Sequence, residues 1–377
     1  MDTLSKLQLL ADASRYDLAC ACGTKANDDH RRRTPDGMWL YPVQLPSGGT
    51  GIMLKTLLTN SCVNHCRYCP FRAGRDGPRC ALEPEEVADT FMHFRRTRGV
   101  MGLFLSSGVQ RDADHTMDRM LAAVKLLRQK HGFRGYVHLK IIPGASDAAV
   151  ESALSVASAV SLNFEAPTRT SFSVLCPDKD YERHIVHPVR LISHLTGPGM
   201  KHAGVKQTTQ FVVGAAEERD RDLLEAMARL YGRLRMSRIY FSAYQRGTGD
   251  AGLPGEAPEK GSQSDGELLT REHRLYQVDF LLRQYGFQAG EIPVDGQGML
   301  SLAIDPKEHW ASLHPEYFPV DVNAASRGEL LRVPGLGPIT VARVLAARRK
   351  GARLRRLEDI GQAGKLLCKA GAFLRFG

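Results

Sequence analysis

From residue 53 onward, short apolar runs alternate with stretches whose apolar positions recur at helical spacing. The runs predict strands over 53–59, 102–107, 136–142, 160–166, 208–214 and 238–244. Between and after them the helical period predicts helices over 84–97, 117–130, 148–157, 187–195, 218–233 and 272–285. Pro84 followed by Glu85 and Glu86 is a helix start: proline needs no N–H partner there, and the acids face the positive helix end. Six strands alternating with six helices imply parallel pairing through right-handed crossovers. The expected fold class is therefore α/β: a partial (β/α)6 TIM-like barrel, open on one side, with a small all-α domain at the C-terminus. Residues 1–50 show only a short helix near 4–13 and read as an N-terminal extension. The core domain is expected over 51–290, a connecting segment over 291–318 and the helical domain over 319–377. The Gly-, Pro- and Ser-rich stretch 247–265 reads as a long mobile loop.

On such barrels, sites lie at the C-terminal strand ends, and alternation selects the side chains that point inward. It selects His138 and Lys140, then Asn163 and Glu165, then Tyr240, Ser242 and Tyr244. A purely structural lumen would be filled by Val, Ile and Leu. One such polar residue alone reads as an internally satisfied hydrogen bond; polar residues on three strands predict a ligand cavity.

Composition narrows the class only slightly. Apolar content of 43 % and charged content of 24 % are ordinary for a globular protein. No run of about 18 apolar residues exists, so no membrane partner is expected. The opening residues lack a basic segment followed by an apolar one, so a cytoplasmic location is expected. Charge changes the picture more. Residues 319–377 carry 12 Lys/Arg against 4 Asp/Glu, whereas the rest carries 39 against 37. The basic excess belongs to the tail, which points to a polyanion there or to a merely solvated basic face.

Eight cysteines in such a chain argue for metal ligation or free thiols rather than disulfides. Three of them form the run Cys62-Val63-Asn64-His65-Cys66-Arg67-Tyr68-Cys69, directly after the first strand. Four cysteines normally hold an iron–sulfur cube, so three leave one iron open to a ligand. A structural zinc site is the alternative, completed by His65 or a distant ligand, although no second Cys or His pair follows. Cys20, Cys22, Cys80, Cys176 and Cys368 receive no role.

The tail carries Val333-Pro334-Gly335-Leu336-Gly337-Pro338-Ile339-Thr340-Val341-Ala342-Arg343 after a helical stretch over 326–331. It looks like a helix–hairpin–helix element, in which turn N–H groups and a positive helix end face a phosphate. Gly335, Gly337 and Thr340 would seat the phosphate, with Arg343, Arg348 and Arg349 adding counter-charge. A weaker copy is expected near 357–367, with Gly361 and Gly364 imitating the turn. The same hairpin would also serve as a protein contact.

The cysteine run, with Tyr68 before Cys69, resembles the cluster loop of the radical SAM enzymes, which place it after the first strand of a partial barrel. The resemblance implies a 4Fe-4S cluster, S-adenosylmethionine bound at the open iron, and an electron donor such as flavodoxin or ferredoxin. It implies catalytic and metal roles for Cys62, Cys66 and Cys69. It places the Tyr68 backbone near the adenine, and Ser106, Ser107 and Gly108 at the methionine amino group. Glu165 falls at the ribose or carboxylate, Gly214 in a motif supporting the adenine, and Lys140 and Ser242 in the same pocket. Two departures stand out: no acid follows Ser106 and Ser107, and Gln210 replaces the first glycine of the adenine motif. The whole pattern, including Leu103 to Val109, His138 to Ala145 and Phe318 to Asn323, resembles the DNA modification/repair radical SAM protein family. That implies a radical enzyme acting on nucleic acid, with DNA as partner and the target base extruded from a duplex or presented as single strand or damage. Two rivals remain: a radical SAM enzyme for RNA, a peptide or a metabolite, and a DNA-binding protein with a structural or sensor cluster.

Overall fold

The computed structural model describes residues 1–17, 32–34, 39–44, 48–256, 263–362 and 364–377. Cys20 and Cys22 lie outside the described residues. The chain divides into two compact units, Met1–Glu218 with Leu230–Leu269, and Arg219–Arg229 with Thr270–Gly377.

The first unit is built on an eight-stranded sheet in sequence order. After helix α1 (Thr3–Ala13) come β1 (Arg32–Arg33), β2 (Trp39–Gln44) and β3 (Thr50–Leu57), paired antiparallel. The parallel part runs through β3, β4 (Gly102–Ser106), β5 (Tyr136–Lys140), β6 (Ala159–Ser161), β7 (Lys206–Val213) and β8 (Arg238–Ala243). Helices α2 (Pro84–Arg98), α3 (Ala113–Lys125), α4 (Asp147–Val156), α5 (Arg169–Leu175), α6 (His187–Leu195) and α7 (Asp220–Leu234) fall between the strands, and α8 (Asp265–Phe280) follows the last. This is the expected partial (β/α)6 barrel. The antiparallel ribbon β1–β2 at its edge departs from the expectation of an irregular extension.

Local chemistry sets the boundaries. Helix α2 begins with a capping box between Glu83 and Glu86 around Pro84, and ends on Gly99 at φ 67°. Strand β4, Gly102-Leu103-Phe104-Leu105-Ser106, is a nearly continuous apolar run, as a strand covered on both faces must be. The inward rows of β5 to β7 are polar instead, with His138, Lys140, Ser161, Thr208 and Gln210 buried, whereas Tyr240 of β8 is exposed.

The second unit continues through α9 (Pro306–Leu313), β9 (Val320–Asp321), α10 (Arg327–Arg332), α11 (Pro338–Arg349), α12 (Lys365–Gly371) and β10 (Leu374–Arg375). β9 and β10 pair in parallel. Its core gathers Val322, Leu330, Leu336, Val341, Ile360 and Leu367. Residues 291–318 are packed within this unit rather than extended: the Lys307 ammonium donates to the Leu336 carbonyl at 2.7 Å, and Lys369 pairs with Glu308.

Candidate functional site

A cavity of about 160 Å³ lies at the C-terminal ends of the barrel strands. The Cys62, Cys66 and Cys69 thiols line it, together with Tyr68. The cysteine loop is held to the next strand end, where Gly108 N donates to Thr59 O at 2.7 Å and Val63 N to Val109 O at 2.9 Å. A Cβ on Gly108 would sit 2.3 Å from the Ser61 carbonyl oxygen, so only glycine permits this approach. Two backbone N–H groups point at thiol sulfurs: Val109 N at Cys62 Sγ and Phe71 N at Cys69 Sγ, both at 3.4 Å. Such donors stabilise thiolate charge.

The loop after α5 supplies what sequence reasoning missed. Arg67 N donates to Leu175 O, and Asp178 accepts from His65 N at 3.0 Å. This brings Cys176 and Lys179 beside Cys66. A hydrogen bond from the Cys176 thiol, aided by the Lys179 charge, pushes the Cys66 thiol down to about 5. Burial, reinforced by the neighbouring Cys66 charge, pushes Cys69 up to about 12. Burial alone would lower Lys179, but Cys66, Cys176 and Glu165 raise it, so the cavity wall holds a firm positive charge.

Glu165 enters by an unusual backbone route. Strand β6 ends at Ser161, and Glu165 adopts φ 63°, held by Glu165 N to Gln210 O at 3.1 Å and Val212 N to Glu165 O at 2.8 Å. Left-handed backbone in a non-glycine residue carries strain that recurs at functional sites. Burial raises the Glu165 carboxyl, while Lys140 and Lys179 act against that rise and the Tyr68 hydroxyl donates to it. Tyr68 is itself held neutral, by burial and then by Glu165.

Ser106, Ser107, Gly108, Lys140 and Ser242 also line the cavity. The Ser107 hydroxyl donates to Gly108 O at 2.6 Å. Gly214 is not among the lining residues. Its N–H donates to Glu218 Oε1 at 2.6 Å, and its backbone φ of 87° favours glycine there.

The stretch after β8 is tied down along its described part, contrary to the expectation of a mobile loop over 247–265; residues 257–262 lie outside the description. Arg72 donates to Cys69 O and Thr248 O, both at 3.0 Å, and to Gly249 O at 2.8 Å. Asp250 N donates to Arg67 O at 2.7 Å, and the Arg67 guanidinium pairs with Asp250. Glu256 accepts from Gly247 N and Gly249 N, both at 2.9 Å to one oxygen, and from the Tyr244 hydroxyl. Arg72 of the cysteine loop thus straps down Thr248, which walls the cavity beside Tyr244 and Gln245.

The residues present fit an iron–sulfur cube. Among the described residues, no three His, Cys, Asp or Glu side chains are close enough together to hold one metal ion. A cube asks for less convergence, because each thiolate binds its own iron. The N–H···S donors and the Lys179 charge suit a thiolate-bound, negatively charged group.

In the second unit, α10 and α11 are joined by a turn over 333–337 in which Gly335 has φ 87°. Gly337 begins α11 with no side-chain cap, leaving first-turn N–H groups to outside partners. Thr340 lies on that first turn. Arg343 donates to Ile360 O at 3.2 Å, and Arg348 to Ala324 O at 3.1 Å, so both brace the unit internally. Arg349 is exposed.

No family model matches the chain, and no curated protein does. Among solved structures it is similar to the FeFe-hydrogenase maturase HydG, at 17 % identity and TM-score 0.44, covering 59 % of this chain and 49 % of that one. It is similar to methylornithine synthase PylB at 15 % identity and TM-score 0.46, covering 60 % and 62 %. A radical SAM methyltransferase from Sphaerobacter thermophilus follows at 15 % and 0.38, covering 58 % and 64 %. The chain spans about half the length of the first and three fifths of the second. These likenesses are remote, and the chemistry has to be read from this chain's own residues.

Proposed function

We propose that the chain is a radical SAM enzyme that acts on nucleic acid, with DNA as the favoured substrate. The observation that carries the enzymatic part is the convergence of Cys62, Cys66 and Cys69 on the cavity that Lys140, Glu165 and Ser242 line at the strand ends. Bound there, a 4Fe-4S cluster would supply one electron to split the sulfonium of S-adenosylmethionine, giving methionine and a 5′-deoxyadenosyl radical that takes a hydrogen atom from the substrate. Cys62, Cys66 and Cys69 would hold the cluster through one thiolate each. Lys179 offsets their charge, and the N–H groups of Val109 and Phe71 orient two sulfurs. Lys140 and Glu165 offer opposite charges to the amino and carboxylate ends of an amino acid. Tyr68 fixes the Glu165 carboxylate, while the strapped wall at Thr248 limits access by water and oxidants.

The nucleic-acid part rests on the charge split and on the uncapped start of α11. The exposed cations Arg349, Lys350 and Lys365 supplement it. Phosphate contacts of this kind place a strand without reading its sequence. The test is anaerobic incubation of reduced, iron-reconstituted protein with S-adenosylmethionine and DNA, assaying 5′-deoxyadenosine and altered nucleosides. Cofactor cleavage that never occurs in protein holding four irons would favour a structural or sensor cluster. Cleavage with no nucleoside product from DNA or RNA would move the substrate to a peptide or metabolite.

A further inference from the structure

We propose that Ile339 and Leu366 form a paired apolar wedge with which the second unit engages the bases of a nucleic acid, an inference that rests on the nucleic-acid reading above. Ile339 is 79 % exposed and Leu366 69 %, values that only Met1 rivals among the large apolar side chains of the described residues. Neighbouring apolar positions of the same helices, Val341, Val344 and Leu367, turn inward to the core. The two residues also occupy equivalent places. Each is the second residue of a helix that starts on an uncapped glycine, Gly337 before α11 and Gly364 before α12, with ψ 170° at both.

The two turns interlock, which brings these helix starts into one structure. A Cβ on Gly335 would lie 2.0 Å from Leu366 O, and one on Gly361 2.5 Å from Arg343 Nη1. Charge selects the occupant. The wedge sits on a segment with 12 basic and 4 acidic residues, and the exposed Lys365 adjoins it. A partner that meets such a surface must be anionic and must also offer flat apolar faces between its charges. Nucleic acid does both, through phosphates and base faces, and apolar side chains are known to part its base steps.

The test uses full-length protein, a labelled duplex with 2-aminopurine at its centre, and the same strand alone. Binding of the wild type is expected to raise 2-aminopurine fluorescence, because the base leaves its stack. The Ile339→Ala/Leu366→Ala double variant is expected to lose that rise and to bind about 20-fold more weakly. Its log–log salt slope should stay that of the wild type, because the phosphate contacts remain. Both side chains are exposed and alanine favours helix, so circular dichroism should be unchanged. The exchange Ile339→Leu/Leu366→Ile should retain both signals. Unchanged affinity and fluorescence in the double alanine variant would overturn the wedge while leaving nucleic-acid binding in place. A wild type that binds neither probe would overturn both, and would leave an acidic protein as the partner of this surface.

Discussion

Gly335 and Gly337 belong to one motif, yet alanine should act differently at each. At Gly335 the backbone has φ 87°, and the new Cβ would sit 2.0 Å from Leu366 O and 3.1 Å from Ala370 N. Left-handed backbone costs a residue with a Cβ about 1–2 kcal/mol. Forcing α12 away from the turn adds about 1–3 kcal/mol, the usual range for overpacking. The sum is about 3 kcal/mol, or roughly 100-fold in the local opening equilibrium. At Gly337 the backbone has an ordinary φ of −108°, and the nearest atom to a Cβ is Tyr285 Oη at 3.3 Å. Only the poorer N-cap is lost there, about 1 kcal/mol. Hydrogen exchange by mass spectrometry on peptides from 365–374, in the full-length protein, should show α12 opening far more in Gly335→Ala than in Gly337→Ala. Equal exchange in the two variants would refute the reasoning, and with it the assignment of Gly335 to packing. Gly337→Ala is then the cleaner probe of phosphate approach, since it weakens nucleic-acid binding without loosening the fold.

Replacing Cys62, Cys66 or Cys69 by alanine should each abolish the full four-iron content, measured as iron and sulfide after anaerobic reconstitution, whereas Cys80→Ala and Cys368→Ala should retain it. Glu165→Gln should weaken S-adenosylmethionine binding, read from the electron paramagnetic resonance of the reduced cluster, at unchanged iron content; equal titrations would make Glu165 a structural acid. Burial pushes the Lys307 ammonium down to about 7 from its ordinary 10.5. Between those values the unfolded chain binds the extra proton, so this contribution to stability is full above 10.5 and is lost as pH falls through about 7. The stability difference between wild type and Lys307→Met, followed by denaturant unfolding from pH 9 to 6, should therefore shift against the wild type as pH falls; a constant difference would mean that Lys307 stays charged when buried.

The barrel was legible because buried parallel strands declare themselves as short apolar runs between helical periods. The ribbon β1–β2 was not, because β2 contains Pro42, which reads as a strand breaker. Among the described residues β1 pairs with Trp39 and Leu40, and Pro42 pairs with Ile52 of β3. The meeting of Cys62, Cys66 and Cys69 at one cavity was legible because they share one short loop. Cys176 and Lys179 carry no local signal, since more than a hundred residues separate them from Cys66. The arginine strap was hidden for the same reason: composition described 247–265 as flexible, and only tertiary structure reveals acceptors for Arg72 lying 176 and 177 residues away. Alternation marked Glu165 as inward, but β6 stops at Ser161 and a left-handed residue completes the path. Arg343 and Arg348 read as counter-charges in the sequence, which shows basic residues but not the carbonyls that occupy them.

The strap has a thermodynamic consequence. Arg72 joins the carbonyl of Cys69 to those of Thr248 and Gly249, so ordering of the cysteine loop and ordering of the cavity wall draw on the same bonds. Coupling of this kind is reciprocal: if iron in the loop tightens a ligand lying under Thr248, that ligand must tighten iron by the same factor. A molecule that fits the cavity should therefore slow the removal of iron by a chelator, and Arg72→Ala should erase that protection even where the ligand still binds. Resistance to iron loss becomes a way to recognise the natural substrate before any product has been found.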